Sequence, residues 1–582
     1  MCVFHFEGVF SMSFSPPCET KGLPDATIAG KVKIAKYYDL VLFLLGIVPL
    51  SILLFIKCRY GFAIIDEAFY LSIPYRLYQG DILLLQEWHL AQLAGWILKL
   101  PVSIFVRFTG GTDGIYLAFR YLYVFLHLCG STLLFFLLRR HTGIGAVVAS
   151  FFYFLYVPFC ISTLSYNSMG IGFLTLSTII LVCCASPWSD AVSGCFLALA
   201  VLCCPYLALL FLFYGAAVFL SRRRVQKLSF LCPKRFAFFS LGIFVPACFF
   251  LADVLPNIRL SQWPLILKGL FSDSEHSESF INKLADYITL FFTNKYIIGF
   301  AIAILIGVLV KNNIFRSLLS VVVLLLTTAF LVRGEAFLNC FMLPLSFTGL
   351  YFYAVYRDIR VKELFYGVWL PGMLYSFCIH LSSNQRYFAI CSASTVALVA
   401  SVIIIVVTVK GIIADCKPAV FKYIFVSALA LLFVVQFSLE LKERWNRIFW
   451  DEGGVQAQTQ LVESGTIKGI YVSPEFEENY LANLDLASHL DAQKSLLVLG
   501  PDAYLYLAGT YQNSAYSAWL GGSPESGWSR LMLYYSLNPD KVPQQILVEP
   551  NYLSLISEIK ADIHYTLGYT APDGSRIYTR TD

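Results

Sequence analysis

Charge is what this sequence has least of. Asp, Glu, Lys and Arg make up only 14% of its 582 residues, against about a quarter in an ordinary soluble domain. That excludes a protein solvated over its whole surface. Cysteine is absent after Cys416, and none of the sixteen forms a CxxC pair with His partners, which argues against a zinc site or a disulfide framework. Cys183, Cys184, Cys203 and Cys204 sit in apolar runs, where cysteine acts as small apolar filler. The sequence carries no heptad array, short repeat or low-complexity tract, and no inverted pair of halves of the transporter kind. Residues before Tyr38 lack the charged, apolar and small-residue regions of a signal peptide, so the first long apolar run reads as a retained helix.

Apolar residues fill the space that charge leaves. The chain is 58% hydrophobic, with 50 Phe and 35 Tyr and a mean hydropathy of +0.69. Its apolar runs recur at roughly 20 residues, enough to cross a hydrocarbon core of about 30 Å. The expected spans are 38–56, 117–138, 145–161, 168–185, 191–204, 205–221, 236–252, 287–309, 317–333, 336–355, 363–381, 386–409 and 419–440. The fifth and sixth meet at Pro205, where one long kinked helix is the alternative. Basic clusters set the count. Arg139–Arg140, Arg222–Arg224 with Lys227, Lys234 and Arg235, Lys311/Arg316, Arg357/Arg360/Lys362 and Lys410/Lys417/Lys422 all fall on the cytoplasmic side if there are about thirteen spans.

The fold class that follows is a polytopic α-helical membrane protein of about thirteen transmembrane helices with a C-terminal α/β extracytoplasmic domain. Residues 1–37 form a cytoplasmic N-terminal segment and 38–440 the transmembrane domain, which includes an outside loop over 57–116. Residues 441–582 form the soluble domain outside. That tail holds ten Lys and Arg against seventeen Asp and Glu, a balance of −7, leaving +12 on the residues before it. A basic membrane body with an acidic tail is no nucleic-acid signature, so none is expected as a partner. The runs GIYVS (469–473), SLLVLG (495–500) and QILVEP (545–550) read as strands, alternating with helical patterns at 475–492 and 551–559. About 140 residues suffice to bury a separate core. Membrane lipids are the implied surroundings, and a bacterial plasma membrane the expected location.

The outside loop after the first span carries the chemistry: AIIDEAFYLSIPYRLYQGDILLLQEWHLAQLAGWILKLPVSIF. Asp66 and Glu67 stand where the chain leaves the bilayer, and an acidic pair at that depth is costly unless matched, solvated or used. Asp66 and Tyr70 share a face if a helix begins there. Capping of that helix by Asp66 is the plain alternative. Glu87 and His89 follow, ahead of an amphipathic stretch, Leu90–Phe108, that reads as interfacial.

The pattern DEAFYLSIPYRLYQGD…EWH, in a long outside loop after the first span, resembles the GT-C superfamily of membrane glycosyltransferases. That superfamily includes the protein O-mannosyltransferases and the lipid A aminoarabinose transferases. The resemblance implies a glycosyltransferase taking a sugar from a polyprenyl-phosphate donor to a glycan, lipid or protein acceptor at the cell envelope. Asp66 would be the catalytic acid/base, with Glu67 beside it. Two departures stand out: Pro74 interrupts the helix expected after Asp66, and EWHLAQL replaces the His-Pro-Pro-like segment.

Donor phosphate needs cationic partners on the outer side. Arg386, in HLSSNQRY between the eleventh and twelfth spans, is the first candidate, against a snorkelling interfacial role. Arg120 at the head of the second span comes next. Tyr166 and Asn167, in the turn STLSYNSMG, offer polar groups to a sugar, against an ordinary turn role. Tyr70, Glu87 and His89 complete the substrate-binding set. Asp66, Glu67, Glu87 and His89 could ligate a divalent cation, the one cofactor the resemblance brings. Their spacing does not demand it, and no metal site is assigned. Two other function classes stay open at this stage, a polysaccharide polymerase or ligase and a transporter or flippase for lipid-linked saccharide. Tyr504, Tyr506, Tyr511 and Trp519 of the tail read as core rather than as a sugar-stacking face.

Overall fold

The computed structural model describes residues 37–581 apart from 65, 90, 222–227, 273–278, 334–340, 382, 384–386, 416–418, 450–453, 519–523 and 557–562. Its helices, in chain order, are α1 (Tyr38–Lys57), α2 (Asp66–Tyr78), α3 (Gln92–Thr109), α4 (Ile115–Leu138), α5 (Gly143–Leu155), α6 (Tyr166–Cys183), α7 (Pro187–Cys203), α8 (Ala208–Ser221), α9 (Pro233–Val254) and α10 (Trp263–Phe271). Then come α11 (Phe280–Thr293), α12 (Lys295–Leu309), α13 (Asn313–Arg333), α14 (Met342–Tyr356), α15 (Leu370–Leu381), α16 (Tyr387–Ala393), α17 (Thr395–Asp415) and α18 (Ala419–Asn446). By length and composition, eight described helices can cross a membrane: α1, α4, α6, α9, α13, the 359–381 segment, α17 and α18. The protein is an integral, multi-pass membrane protein.

Four further apolar helices, 143–155, 187–203, 205–221 and 295–309, are shorter. Local breaks cut several runs that the sequence reads as continuous. Val157 is extended ahead of Pro158, as a residue before proline prefers, and α5 stops at Leu155 rather than reaching 161. Cys204 is likewise extended ahead of Pro205, so α7 and α8 are separate helices rather than one kinked one. The expected span 287–309 breaks at Asn294, whose side chain accepts from the amides of Tyr296 and Ile297 and caps α12. Ser394 divides α16 from α17.

The loop after α1 forms two helices, α2 and α3, packed on each other. Pro74 does not interrupt α2, contrary to expectation. The helix runs through it to Tyr78, and Gly95 of α3 lies so close to Ile73 that any side chain there would collide. This close approach braces α2 where proline removes a hydrogen bond.

The tail begins after α18 with a two-stranded pair, β1 (Gln460–Leu461) and β2 (Tyr471–Val472), and a helix α19 (Pro474–Ser488). A four-stranded sheet follows, built from β3 (Leu496–Leu499), β4 (Gln545–Val548), β5 (Tyr565–Thr570) and β6 (Arg576–Arg580), in the order β3-β4-β6-β5. Only β3 and β4 run parallel. All three expected strand runs form strands. Tyr504, Tyr506 and Tyr511 are buried core residues, whereas Trp519 lies outside the described residues.

The tail clasps the loop through backbone pairing. Gly61 N–H donates to Tyr471 O at 2.7 Å, and Tyr471 N–H to Arg59 O at 2.6 Å. Trp88 N–H donates to Tyr516 O at 2.7 Å. Ser72 and Tyr75 of α2, and Gln79 just past its end, donate to tail carbonyls of Ala503, Gly509 and Tyr511.

Candidate active site

Asp66 is the first residue of α2, where a carboxylate is favoured by the unsatisfied amides and the helix dipole. Its side chain is half-buried. Tyr70 stands one turn on, inside the protein, and its ring meets that of Tyr166 edge-on at 5.9 Å. Asp66 lies within electrostatic reach of both phenols. Burial, with the Asp66 charge second, holds the Tyr70 hydroxyl well above its ordinary pKa. Tyr70 therefore stays a neutral hydrogen-bond donor beside the carboxylate. Phe69 packs between Tyr70, at 4.5 Å, and the His89 imidazole, at 4.7 Å. Asp66, Tyr70, Tyr166 and His89 thus share one neighbourhood, and Asn167 is buried in the first turn of α6 beside Tyr166.

Glu67 is held by an arginine. It is 1% exposed, and its two oxygens take the Nε and Nη2 protons of Arg120, both at 2.6 Å. Arg120 also donates to Cys58 O at 2.8 Å and Gly61 O at 2.7 Å. A guanidinium has five donor hydrogens in a fixed fork, and here they tie the end of α1 and the chain before α2 to α4. The acidic pair divides its labour: Glu67 fastens the loop, and Asp66 stands at the helix tip.

Glu87 belongs to a second buried network. Its carboxylate accepts from Arg76 Nη1 at 2.7 Å and from the backbone N–H of His89 at 2.8 Å. Arg76 also donates to Asp81 at 2.7 Å and to Gln86 O at 2.6 Å. Lys541 of the tail donates to Asp81 at 2.5 Å. Burial pushes the Glu87 pKa up, opposed by the Arg76 charge. The network locks α2, the 81–89 segment and the tail together. His89 Nδ1 accepts from the Ala91 amide at 3.0 Å, which leaves the proton of a neutral imidazole on Nε2.

Arg386, the first phosphate candidate from sequence, lies outside the described residues. Among the described residues no group of three or more His, Cys, Asp and Glu could hold a metal ion. Sequence reasoning passed over Lys57 and Arg444, at the ends of α1 and α18, which the structure buries at 3% and 1% exposure. The signal was present: Lys57 closes an otherwise uncharged apolar run at the end of α1, where a charge is costly unless it is solvated or used.

No family model and no curated protein matches this sequence. Several solved structures are similar along nearly its whole length. ArnT from Cupriavidus metallidurans bound to undecaprenyl phosphate aligns over 96% of this chain and 99% of its own, at 12% identity and a TM-score of 0.47. The same protein in its apo state aligns over the same shares at 11% and 0.44. The Archaeoglobus fulgidus oligosaccharyltransferase in the apo form aligns over 94% of this chain and 75% of its own, at 13% and 0.45.

Proposed function

We propose that this chain is a membrane glycosyltransferase that moves a sugar from a polyprenyl-phosphate carrier to a hydroxyl of a cell-surface glycan, lipid or protein, with Asp66 as general base. The observation that carries the reading is the arrangement of the acidic pair. Asp66 is half-buried at the tip of α2 beside two phenols, directly before the buried Glu67–Arg120 ion pair.

The reaction that suits a single carboxylate is direct displacement. The acceptor oxygen attacks the anomeric carbon, and its proton passes to Asp66. The bond from that carbon to the phosphate oxygen breaks, and its electron pair leaves on the phosphate. The configuration inverts. A phosphate leaves without a strong general acid, so a second carboxylate of the glycosidase kind is not needed. Tyr70 and Tyr166 supply neutral hydroxyls near the carboxylate, suited to orienting a sugar. Arg386 is the cation that the sequence places for the departing phosphate.

Mass spectrometry of surface glycans and lipids tests the reading in cells lacking the chain. Re-expression of the wild type should restore one sugar modification, and Asp66→Asn, made at equal level, should not. Restoration by Asp66→Asn refutes the base assignment. Export of an unmodified saccharide that depends on the chain would point to a transporter instead.

A further inference from the structure

A cavity of about 590 Å³ lies where α13 and α18 begin and α14 and α17 end. Phe421 lines it from the first turn of α18, whereas Arg444, near the other end of that helix, donates to Ser162 just before Tyr166. At 1.5 Å per residue, Phe421 and Arg444 stand about 35 Å apart, so the cavity is remote from the candidate active site. It belongs to the end of the bundle that carries Arg357, Arg360, Lys362 and Lys410, the basic residues expected on the cytoplasmic side.

Three charged side chains line it: Asp358, Arg360 and Asp415. The first two hold each other, Asp358 accepting from Arg360 Nε at 3.0 Å and Nη2 at 2.6 Å. Nη2 also donates to Val407 O at 3.3 Å, passing Gly411, where a Cβ would stand 2.7 Å from that nitrogen. Glycine at 411 therefore seats the guanidinium against α17. The two N–H donors of Nη1 have no partner among the described residues. Asp415, exposed at the end of α17, lies within electrostatic reach of Arg360 and joins no ion pair or hydrogen bond among the described residues. Thr408 is 3% exposed, and its Oγ1 is buried without a partner, which costs free energy that a ligand can recover.

The unmatched groups define what fits. A guanidinium edge and a hydroxyl donate to a phosphate oxygen, and a carboxylate accepts from an ammonium. A simple anion would meet two carboxylates for one arginine, and a simple cation would leave Nη1 and Thr408 unmatched. The other walls are apolar, with Ile314, Ile412 and Phe421. Ile314, Val420 and Tyr423 are exposed at the starts of α13 and α18, as side chains facing lipid are. Pockets between transmembrane helices on the cytoplasmic side take lipid headgroups.

We propose that this cavity binds a membrane lipid whose headgroup joins a phosphate to a primary ammonium. The phosphate meets Arg360 and Thr408, and the ammonium meets Asp415. The site does not rest on the transferase reading and is measured without turnover.

The test uses the full chain in detergent micelles with equal amounts of dioleoyl phosphatidylethanolamine and dioleoyl phosphatidylglycerol, which share chains and phosphate and differ in the ammonium. Native mass spectrometry counts the lipid retained as detergent is stripped. The wild type should retain the ethanolamine lipid about fivefold or more over the glycerol lipid. Asp415→Asn should bring that ratio near one, and Asp415→Lys should invert it; the position is exposed, so neither variant disturbs the core. Thr408→Val, of equal volume, should lower retention of the ethanolamine lipid several-fold. Glycerophosphoethanolamine, which lacks the chains, should bind far more weakly, and an affinity equal to the lipid's would overturn the assignment to a membrane lipid. A wild-type ratio near one, or a ratio unchanged in Asp415→Asn, overturns the proposal.

Discussion

Replacing Arg120 by Met removes the guanidinium that holds Glu67 and the Cys58 and Gly61 carbonyls, while keeping most of the side-chain length. Breaking a buried ion pair from one side costs roughly 3–5 kcal/mol, because the remaining charge is left uncompensated. Each abandoned carbonyl adds on the order of 1 kcal/mol or more if water cannot reach it. The smaller figure alone lowers the folding equilibrium constant more than about a hundredfold. The double substitution Glu67→Leu with Arg120→Met removes both charges and should recover most of the loss, since an apolar pair of similar volume replaces a buried ion pair at little net cost. Unfolding in mixed micelles titrated with SDS measures all four species and yields the coupling energy. The reasoning fails if Arg120→Met unfolds with the wild type and only its KM for donor rises. That result would make Arg120 a substrate ligand rather than a fastening of the loop.

Two further tests concern the tail. Arg76→Met should free Glu87 and Asp81 and loosen the clasp between loop and tail. Limited proteolysis should then cut the 79–90 segment several times faster, and an unchanged cleavage rate would contradict the network's role. In the tail, burial pushes the Asp502 pKa up to about 6, and burial with the Asp502 charge pushes Glu549 up to about 8. Both lie above the usual carboxylate value of about 4, so the folded tail binds more protons than the unfolded one between those limits. Its stability is then greatest below about pH 4 to 5 as far as these groups are concerned, and is lost as pH rises through about 8. Hydrogen exchange of β3 and β4, corrected for intrinsic rates, should show weaker protection at pH 9 than at pH 6, with the difference reduced in Glu549→Gln. Equal protection would refute it.

Much of the architecture is legible in the sequence because the signals are local. The strand runs at 469–473, 495–500 and 545–550 are short, apolar and bounded by turn residues, and each contains its strand. The helices at 66 and 92 follow from an acidic start and an amphipathic period. Helix breaks were harder to place. Asn294 and Ser394 lie between runs apolar enough to read as one, and only cap geometry stops the helix. The β5–β6 hairpin at the end went unread, although Pro572–Asp573–Gly574 between two β-branched and aromatic runs is a recognisable turn.

The sequence singles out Asp66 as a candidate but does not apportion partners around it. Whether Glu67, Glu87 or Arg120 faces a ligand or another side chain depends on contacts between residues 11 to 53 positions apart, which no local pattern encodes. The buried cations Lys57 and Arg444 are separated by almost the whole membrane domain, so their pairing shows only in three dimensions.

In the proposed reaction Asp66 removes a proton during sugar transfer from a lipid phosphate. The most direct measurement incubates the purified chain in vesicles with a radiolabelled polyprenyl-phosphate sugar and acceptor extract, and counts label in product and free polyprenyl phosphate released. The wild type should turn over, and Asp66→Asn, equally folded by its unfolding curve, should fall at least a hundredfold. Undiminished release by Asp66→Asn would contradict the account.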